Sequence, residues 1–295
     1  MRLVLILLSL PTFAFGWGRQ GHMTIALIAD QLLTPQGRAY VEQLRGVQGW
    51  QDLKPGAHRG FEKADNELIQ FCSGPDADLS LISDWADAWK SHYGRFNTGP
   101  FHYINLPITG QGSPQEQTDA CGSEGACLPF RLTYYANHLV EKSPPDLAKL
   151  EALLWVVHLA GDDSQPLHCA DDHDRGGNRV EVRVLGRKTN LHAAYDTGFF
   201  YATHSRPDEL SQDLLLHECK SVPRQPWAPD LVPVWTQESF GIAKTFVYPQ
   251  ERALGGHYGQ VDVAKAWTVV RLQLARAGVR LAGIINAAAA AQANE

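Results

Sequence analysis

The sequence predicts a mainly α-helical fold, a single-domain helical bundle with one small β-hairpin. Apolar residues recur at three- and four-residue spacing along most of the chain, which is the period of helices with one buried face. One short segment alternates instead, as a half-exposed strand does. The chain has no internal repeat and no spacer rich in Pro, Gly or Ser, so nothing in it separates two domains.

The helical spacing occurs in eight segments of the chain. We expect helices over Thr24–Gln43, Lys63–Phe71, Leu79–His92, Pro129–Lys142, Leu147–Leu159, Pro207–His217, Val234–Phe246 and Val261–Asn286. The alternating segment is Asn178–Val184, and Gly186 shortly after it is typical of a hairpin turn. Any sheet is therefore small.

Residues 1–16 have the composition of a secretory signal peptide. Arg2 precedes an apolar run over Leu3–Leu10, and a proline and small residues follow. The run is shorter than the roughly 20 residues that span a bilayer. We therefore expect a secreted or periplasmic protein whose mature chain begins at Trp17, forms one domain over residues 17–295 and does not enter a membrane.

The charge of the chain is acidic. The formal net charge is -6 at pH 7, and loss of Arg2 with the signal peptide makes it -7. Proteins that bind polyanions are usually basic. The charge therefore argues against a nucleic-acid partner unless bound cations reverse it locally.

Five cysteines in an exported chain suggest disulfide bonds. Cys121 and Cys127 flank a short flexible loop that a local bridge could close, and this is the pairing we predict. The sequence does not pair Cys72, Cys169 and Cys219.

Two pairs of His and Asp have the spacing of metal ligands on a helix. His158 and Asp162 lie four residues apart at the end of a strongly helical segment, so both side chains project from one face. His192 and Asp196 repeat this spacing. Between the pairs, His168 follows a proline that ends the helix and turns the chain back. Solvated helix faces would also explain the pairs, so spacing alone leaves the choice open.

Residues nearer the N-terminus extend the pattern. Asp87 and His102 are embedded among aromatic residues, and buried polar groups need partners, of which a metal is one. Cleavage before Trp17 would free an amine five residues before His22, and a deprotonated terminal amine is a good zinc ligand. Residues 171–174, in contrast, lack the spaced oxygens of a calcium loop and predict a solvated turn.

These residues and their neighbours resemble the zinc-dependent single-strand nuclease family of fungi, plants and bacteria. The resemblance keeps the family's order over nearly the whole mature chain. It is carried by Trp17 with His22, Trp85-Ala86-Asp87, His102-Tyr103, His158 through Asp162, Gln165 through His168, Gly176-Gly177-Asn178, Asn190-Leu191-His192 with Asp196, and Ala277 through Ala282. It implies the fold shared by these nucleases and the zinc-dependent phospholipases C.

The resemblance implies three zinc ions per chain. Their ligands would be Asp87, His102, His158 and Asp162 for the first, His168, His192 and Asp196 for the second, and the amine and carbonyl of Trp17 with His22 and Asp162 for the third. Sites with three or four such ligands keep a position open for water or substrate, as catalytic zinc does. The three ions would move the net charge from -7 to about -1 and concentrate the gain in the cleft, which answers the objection from charge.

The activity implied by the resemblance is that of an endonuclease and 3′-nucleotidase, which we expect to be a monomer. A metal-activated water would hydrolyse P–O3′ bonds of single-stranded DNA, RNA and 3′-nucleotides and leave 5′-phosphate ends on the cleaved strands. Asp87, Asp162 and Lys90 would be catalytic. The family commonly has arginine where this chain has Lys90, and lysine offers a point charge instead of a planar two-donor fork, so the phosphate contact would be weaker or pass to another residue.

Tyr103 and Asn105 are the residues we expect to contact a base, together with Lys90 on the phosphate. Tyr103 would stack on the base and Asn105 would hydrogen-bond its edge. Core packing of Tyr103 is the alternative.

Two other functions remain open at this point. Zinc-dependent phospholipases C share the fold and the three-metal arrangement, but they tend to have Glu where this chain has Asp196, and the segments around Gln165 and Gly176 are nuclease-like. An exported zinc-binding protein without activity would use the same ligands, but open coordination positions argue against it.

Overall fold

The structure is a computed structural model that describes residues 17–55, 62–90 and 97–293. Within these ranges it is mainly helical with one small sheet, as predicted. The helices are α1 (Arg19–Leu32), α2 (Pro35–Arg45), α3 (Glu62–Ser73), α4 (Trp85–Lys90), α5 (Pro114–Cys121), α6 (Leu128–Val140), α7 (Leu147–Asp162), α8 (Leu191–Ala193), α9 (Phe199–Thr203), α10 (Pro207–Leu216), α11 (Leu231–Ile242), α12 (Tyr248–Leu254) and α13 (Gln260–Ala293). The predicted signal peptide, residues 1–16, lies outside the described residues.

Helix α7 runs through the core of the bundle. Every residue from Ala152 to Asp162 is buried, which is expected of a helix that is apolar on all sides. The side chain of Asp146 caps its first turn by accepting a hydrogen bond from Lys149 N at 2.8 Å. The helix continues three residues beyond its predicted end at Leu159, so its last turn ends at Asp162.

Helices α1 and α13 pack against each other at close range. A Cβ atom on Gly278 would lie 2.4 Å from Ile28 Cγ2, so glycine is needed at this crossing. By length and composition alone, α13 could cross a membrane. However, 61% of its most apolar window is buried inside the protein, which is typical of a core helix.

Two predicted helices are interrupted. The segment Thr24–Gln43 forms α1 and α2 instead of one helix, because Pro35 starts the second helix and Thr34, held in an extended conformation, caps it. The segment Leu79–His92 forms a short 3₁₀ helix, Leu79–Ile82, and then α4. Its last residues lie outside the described part of the chain.

The sheet contains the predicted hairpin. Strands β1 (Glu181–Val184) and β2 (Arg187–Asn190) pair antiparallel, and the two residues between them have φ values of 48° and 83°, as a type I′ turn requires. A third strand, β3 (His257–Tyr258), pairs parallel with β1 and was not predicted, because two residues are too few to show alternation. Strand β2 leads directly into α8, where Asn190 caps the helix.

A disulfide joins Cys121 to Cys127, the pairing favoured by the sequence. Cys72, Cys169 and Cys219 are free thiols, and Cys169 and Cys219 are buried.

Candidate metal centre

The last turn of α7 carries two of the predicted ligands. His158 and Asp162 are both fully buried, and His158 Nε2 lies 3.2 Å from Asp162 Oδ2. The two oxygens of Asp162 face different neighbours. Oδ2 lies 2.9 Å from His102 Nδ1, whereas Oδ1 lies 3.4 Å from His22 Nε2. Asp162 therefore lies between two groups of potential ligands, one that contains His102 and one that contains His22.

The first group consists of Asp87, His102, His158 and Asp162. Asp87 Oδ1 lies 3.6 Å from both His102 Nδ1 and His158 Nε2, and these two nitrogens are 3.1 Å apart. Asp87 comes from the first turn of α4, and His102 ends a short 3₁₀ helix. Residues from three separate segments thus converge on a space that one ion could fill.

The second group consists of His168, His192 and Asp196. His192 Nε2 lies 3.2 Å from His168 Nε2 and 3.4 Å from Asp196 Oδ2. Asp196 lies in a π turn, Ala194–Gly198, that joins α8 to α9. Single π turns are frequent at functional sites. The turn places His192 and Asp196 on the same side although neither helix is long.

The first two groups are adjacent because two chain segments run side by side. Ile104 N donates to His168 O at 2.8 Å, and a parallel bridge pairs Pro107 with Asp171. The segment that begins at His102 is extended, so its residues alternate between buried and exposed. His102 therefore points inward beside His168.

The third group consists of His22, His158 and Asp162, and it joins α1 to α7. The ring of His22 stacks on that of His158 with centroids 3.9 Å apart, and both rings face Asp162. This close approach depends on Gly161, where a Cβ atom would lie 2.7 Å from His22 Nδ1.

Trp17 is buried completely beside this group. Its indole N–H donates to Ser164 Oγ at 2.8 Å. The next residue, Gly18, donates its N–H to Asp196 O at 2.9 Å. A Cβ atom on Gly18 would lie 2.2 Å from Thr197 Cγ2. Gly18 O also accepts from His22 N at 3.3 Å, so the start of the predicted mature chain is held against residues of both the second and the third group.

Backbone carbonyls orient three of the imidazoles. Nδ1 of His158 lies 2.7 Å from Ser83 O, Nδ1 of His168 lies 2.6 Å from His102 O, and Nδ1 of His192 lies 2.6 Å from Gly176 O. Since a carbonyl only accepts, each Nδ1 carries the hydrogen, and in the neutral ring Nε2 is the nitrogen whose lone pair faces the group. Metal-binding histidines are usually oriented in this way.

The electrostatics of the centre favour a cation. Burial alone would lower the pKa of His158, but the carboxylates of Asp162 and Asp87 raise it to about 9. Burial would raise the pKa of Asp162, yet His158 and His168 hold it well below its usual range. The centre therefore stabilises positive charge next to an ionised carboxylate.

Some buried polar atoms of these groups have no hydrogen-bond partner in the part of the chain that the structure describes, which also fits a bound metal. Neither ring nitrogen of His22 nor Oδ1 of Asp162 has a hydrogen-bond partner within the described residues, although both side chains are buried. Such groups are costly unless something binds them. Imidazole nitrogens and carboxylate oxygens are the donors that zinc takes in catalytic sites.

Of the residues predicted to contact substrate, Tyr103 and Asn105 lie at the rim of the centre, on the chain segment that continues from His102. Tyr103 is 41% exposed, which excludes the core-packing alternative, and Asn105 is exposed two residues further along the same extended segment. Lys90 ends α4. Its side chain lies outside the described part of the structure, so its contact with phosphate stays a prediction.

Two residues that the sequence placed in the family motifs, but to which it gave no role at the site, support the ligands. Gln165 Nε2 donates to Asp196 Oδ1 at 2.6 Å, and Gly176, at φ +60°, turns its carbonyl toward His192. The interpretation of residues 171–174 as a solvated turn is only partly right. Asp174 is buried and accepts from Gly177 N at 2.7 Å, so the turn shapes the loop behind His192. The sequence signal that could have revealed this structured turn is the glycine pair, Gly176-Gly177, that follows the acidic segment 171–174.

The fold and these groups define a mainly helical protein with three buried sets of His and Asp residues able to hold metal ions. A sequence model of the S1/P1 nuclease family matches residues 17–290, and the chain belongs to this family. The match begins at Trp17. Because the matching family is one of nucleases, the match favours a nuclease over a phospholipase C.

Several curated nucleases are similar to this chain. Endonuclease 4 of Arabidopsis thaliana is 26% identical over 304 residues, which cover 96% of this chain and 92% of the relative. Nuclease S1 of Aspergillus oryzae is 30% identical over 196 residues, 64% of this chain and 56% of that protein. Nuclease P1 of Penicillium citrinum is 26% identical over 184 residues, 61% and 57% of the two chains.

Proposed function

We propose that the protein is an exported, zinc-dependent nuclease that hydrolyses P–O3′ bonds of single-stranded DNA and RNA and dephosphorylates 3′-nucleotides. Membership of the S1/P1 nuclease family supports the reaction class. One structural observation carries the metal part of the proposal. The two oxygens of the buried carboxylate of Asp162 face two different sets of ligands, as a residue that bridges two ions must.

The ligand sets proposed from the sequence are compatible with the geometry. Asp87, His102, His158 and Asp162 would hold one zinc, and His168, His192 and Asp196 would hold a second. His22 and Asp162 would hold the third together with the amine and carbonyl of Trp17. Each set has three or four N and O donors, the number found in catalytic zinc sites.

Bound zinc would supply the Lewis acidity that activates a water and stabilises charge on the phosphate oxygens. The contribution of the chain is to fix the geometry in advance. The carbonyls of Ser83, His102 and Gly176 hold three imidazoles in one tautomer, and Gln165 orients Asp196.

The rim residues would position the substrate. The exposed ring of Tyr103 is free to stack on a base next to His102, and the exposed amide of Asn105 lies on the same side of the extended segment. Only an unpaired base presents both its face and its edge, which would give the preference for single strands. Lys90 would add a positive charge for the phosphate.

Charge, export and assembly complete the proposal. The acidic chain, with a net charge of -6, would gain its positive potential from zinc in the cleft. Residues 1–16 would direct export, so that Trp17 becomes the N-terminus. We propose a monomer.

The test is a substrate panel with the mature protein. We expect release of nucleotides with 5′-phosphate ends from single-stranded DNA and RNA, slower attack on duplex DNA, phosphate release from 3′-nucleotides, and complete inhibition by EDTA. Phosphatidylcholine is assayed in the same preparation. Cleavage of phospholipid without cleavage of nucleic acid would overturn the proposal, and so would nuclease activity that survives metal removal.

A further inference from the structure

Helix α6 exposes an aromatic surface around one arginine. Phe130 and Tyr134 are 51% and 53% exposed and lie four residues apart, so they share one face of the helix. The guanidinium of Arg131 lies 5.9 Å and 6.0 Å from the centres of their rings and 4.3 Å from the ring of Phe101. These four residues, Phe101, Phe130, Arg131 and Tyr134, are named the aromatic platform below.

The charge of Arg131 is not neutralised by a neighbour. Within the described residues it forms no ion pair, and it donates a hydrogen bond to a neutral acceptor, Glu124 O, at 3.4 Å. Its Nε atom is buried without a hydrogen-bond partner in that part of the chain. In an acidic protein, this arginine is therefore a local positive charge held between aromatic rings.

The platform is continuous with the metal centre. Phe101 directly precedes His102, and both rings contact Trp155, with centroid distances of 5.6 Å and 6.1 Å. The first residue of α6, Leu128, donates its N–H to Tyr103 O at 3.1 Å. Tyr103 therefore lies beside the beginning of α6.

We propose that the aromatic platform binds nucleotides of a single-stranded substrate beyond those at the scissile phosphate. Phe130 and Tyr134 would stack on bases of any identity, and Arg131 would pair with a phosphate between them. Alternation of aromatic faces and a cation is the pattern by which proteins hold single strands without reading their sequence. The inference rests on the proposed function, because the platform adds length to that substrate site.

The test compares a long with a short substrate on the zinc-loaded enzyme. The measured quantity is kcat/KM for a single-stranded oligonucleotide of about 20 nucleotides divided by kcat/KM for a 3′-nucleotide, which reaches only the metal centre. In Tyr134→Ala this ratio should fall about tenfold, the loss typical of one stacking contact. Tyr201→Ala removes a tyrosine that is 58% exposed on α9 and should leave the ratio unchanged.

A salt series isolates the role of Arg131. A phosphorothioate oligonucleotide that resists cleavage is bound to the parent enzyme and to Arg131→Gln. The slope of log affinity against log salt should decrease by about 0.7 in the variant, the value for one phosphate contact on a single strand. An equal slope in both proteins would show that Arg131 does not contact phosphate and would overturn that part of the proposal.

The outcomes separate this inference from the proposed function. If the parent cleaves no nucleic acid but binds the oligonucleotide, and Tyr134→Ala weakens the binding, the platform stands and the proposed function fails. If the parent cleaves but the substrate ratio is the same in Tyr134→Ala, the platform is wrong. For Phe130→Ala, the melting temperature is measured together with the substrate ratio. The ring of Phe130 packs against Gly125, so its loss would also loosen the loop that contains this glycine. Concentration-dependent dimerisation abolished by Tyr134→Ala would identify the platform as a contact between copies and would also overturn the inference.

Discussion

Asp162 is the residue on which the geometry of the centre depends most. It ends α7, is completely buried, and lies within 3.6 Å of nitrogens on four histidines. The adjacent Asp163 is equally buried but faces Thr236, whose hydroxyl donates to it at 2.6 Å. Two neighbouring aspartates therefore have different surroundings, and this contrast provides a matched pair of variants.

Asp162→Asn should lower nuclease activity by more than about 100-fold and reduce the bound zinc. Loss of a residue that merely orients a ligand costs about 10- to 100-fold, and Asp162 is proposed to be a ligand itself. Metal analysis and initial rates on single-stranded DNA measure the effect. Full activity in this variant would contradict the assignment.

Asp163→Asn is the control and should keep its zinc. Burial raises the pKa of Asp163 from 3.8 to about 7. A carboxyl with a raised pKa in the folded state destabilises the fold as the pH rises from its unfolded value through its folded one. The amide avoids this ionisation and can still accept from Thr236. The free energy of unfolding of the variant relative to the parent should therefore rise between pH 4 and pH 8.

Gly161→Ala tests the contact between α1 and α7. The added Cβ would lie 2.7 Å from His22 Nδ1 and push the ring away from Asp162. We expect loss of about one zinc per chain and a large loss of activity, with the helical content retained. Gly241→Ala is the matched control, since nothing lies within 4 Å of its added Cβ and alanine favours a helix. Unchanged zinc content in Gly161→Ala would show that His22 is not a ligand.

At the scale of single residues, spacing along the sequence was informative where two ligands lie in one continuous helical stretch of chain. His158 with Asp162 and His192 with Asp196 lie four residues apart, and the structure brings each pair together. Spacing could not reveal supporting contacts such as that of Ser83 O with His158, because the two residues are 75 positions apart. The resemblance, and not periodicity, connected Asp87 and His102 to the pairs.

At the scale of elements, helix type was predictable and helix boundaries were not. The apolar period of Thr24–Gln43 continues across Pro35, but the proline and the cap at Thr34 divide the segment. The break between Leu79–Ile82 and α4 leaves the carbonyl of Ser83 available to orient His158. The spacing of apolar residues could not predict the π turn around Asp196, because the turn adds a single residue within one helical turn.

Gly278→Ala should destabilise the packing of α1 on α13. The new Cβ would lie 2.4 Å from Ile28 Cγ2 and 3.2 Å from Ile25 O, so one helix must shift. Overpacking of this kind costs about 1–3 kcal/mol. Gly283→Ala lies on the same helix, and its nearest neighbour is 3.7 Å away. It should instead gain up to about 1 kcal/mol. Denaturant unfolding measures both, and equal stabilities would refute the close-packing argument.

At the scale of the whole molecule, the proposed N-terminus would link export to activity. Trp17 is anchored by Ser164, and Gly18 by Asp196, so the start of the predicted mature chain lies against the proposed ligands. A mature protein with two extra residues before Trp17 should fold but bind about two zinc ions, because its terminal amine is displaced. Zinc analysis and mass spectrometry of both forms test this. Three tightly bound zinc ions in the extended protein would exclude the amine as a ligand.

The most direct test of the account is a zinc titration of the chelated mature protein, with bound zinc and hydrolysis of single-stranded DNA followed together. The account predicts no activity without metal, uptake of three zinc ions per chain, and full activity only when the third is bound. Full activity with fewer than three ions bound, or saturation with zinc and no hydrolysis, would contradict the claim that these buried histidines and aspartates form a catalytic centre of three zinc ions.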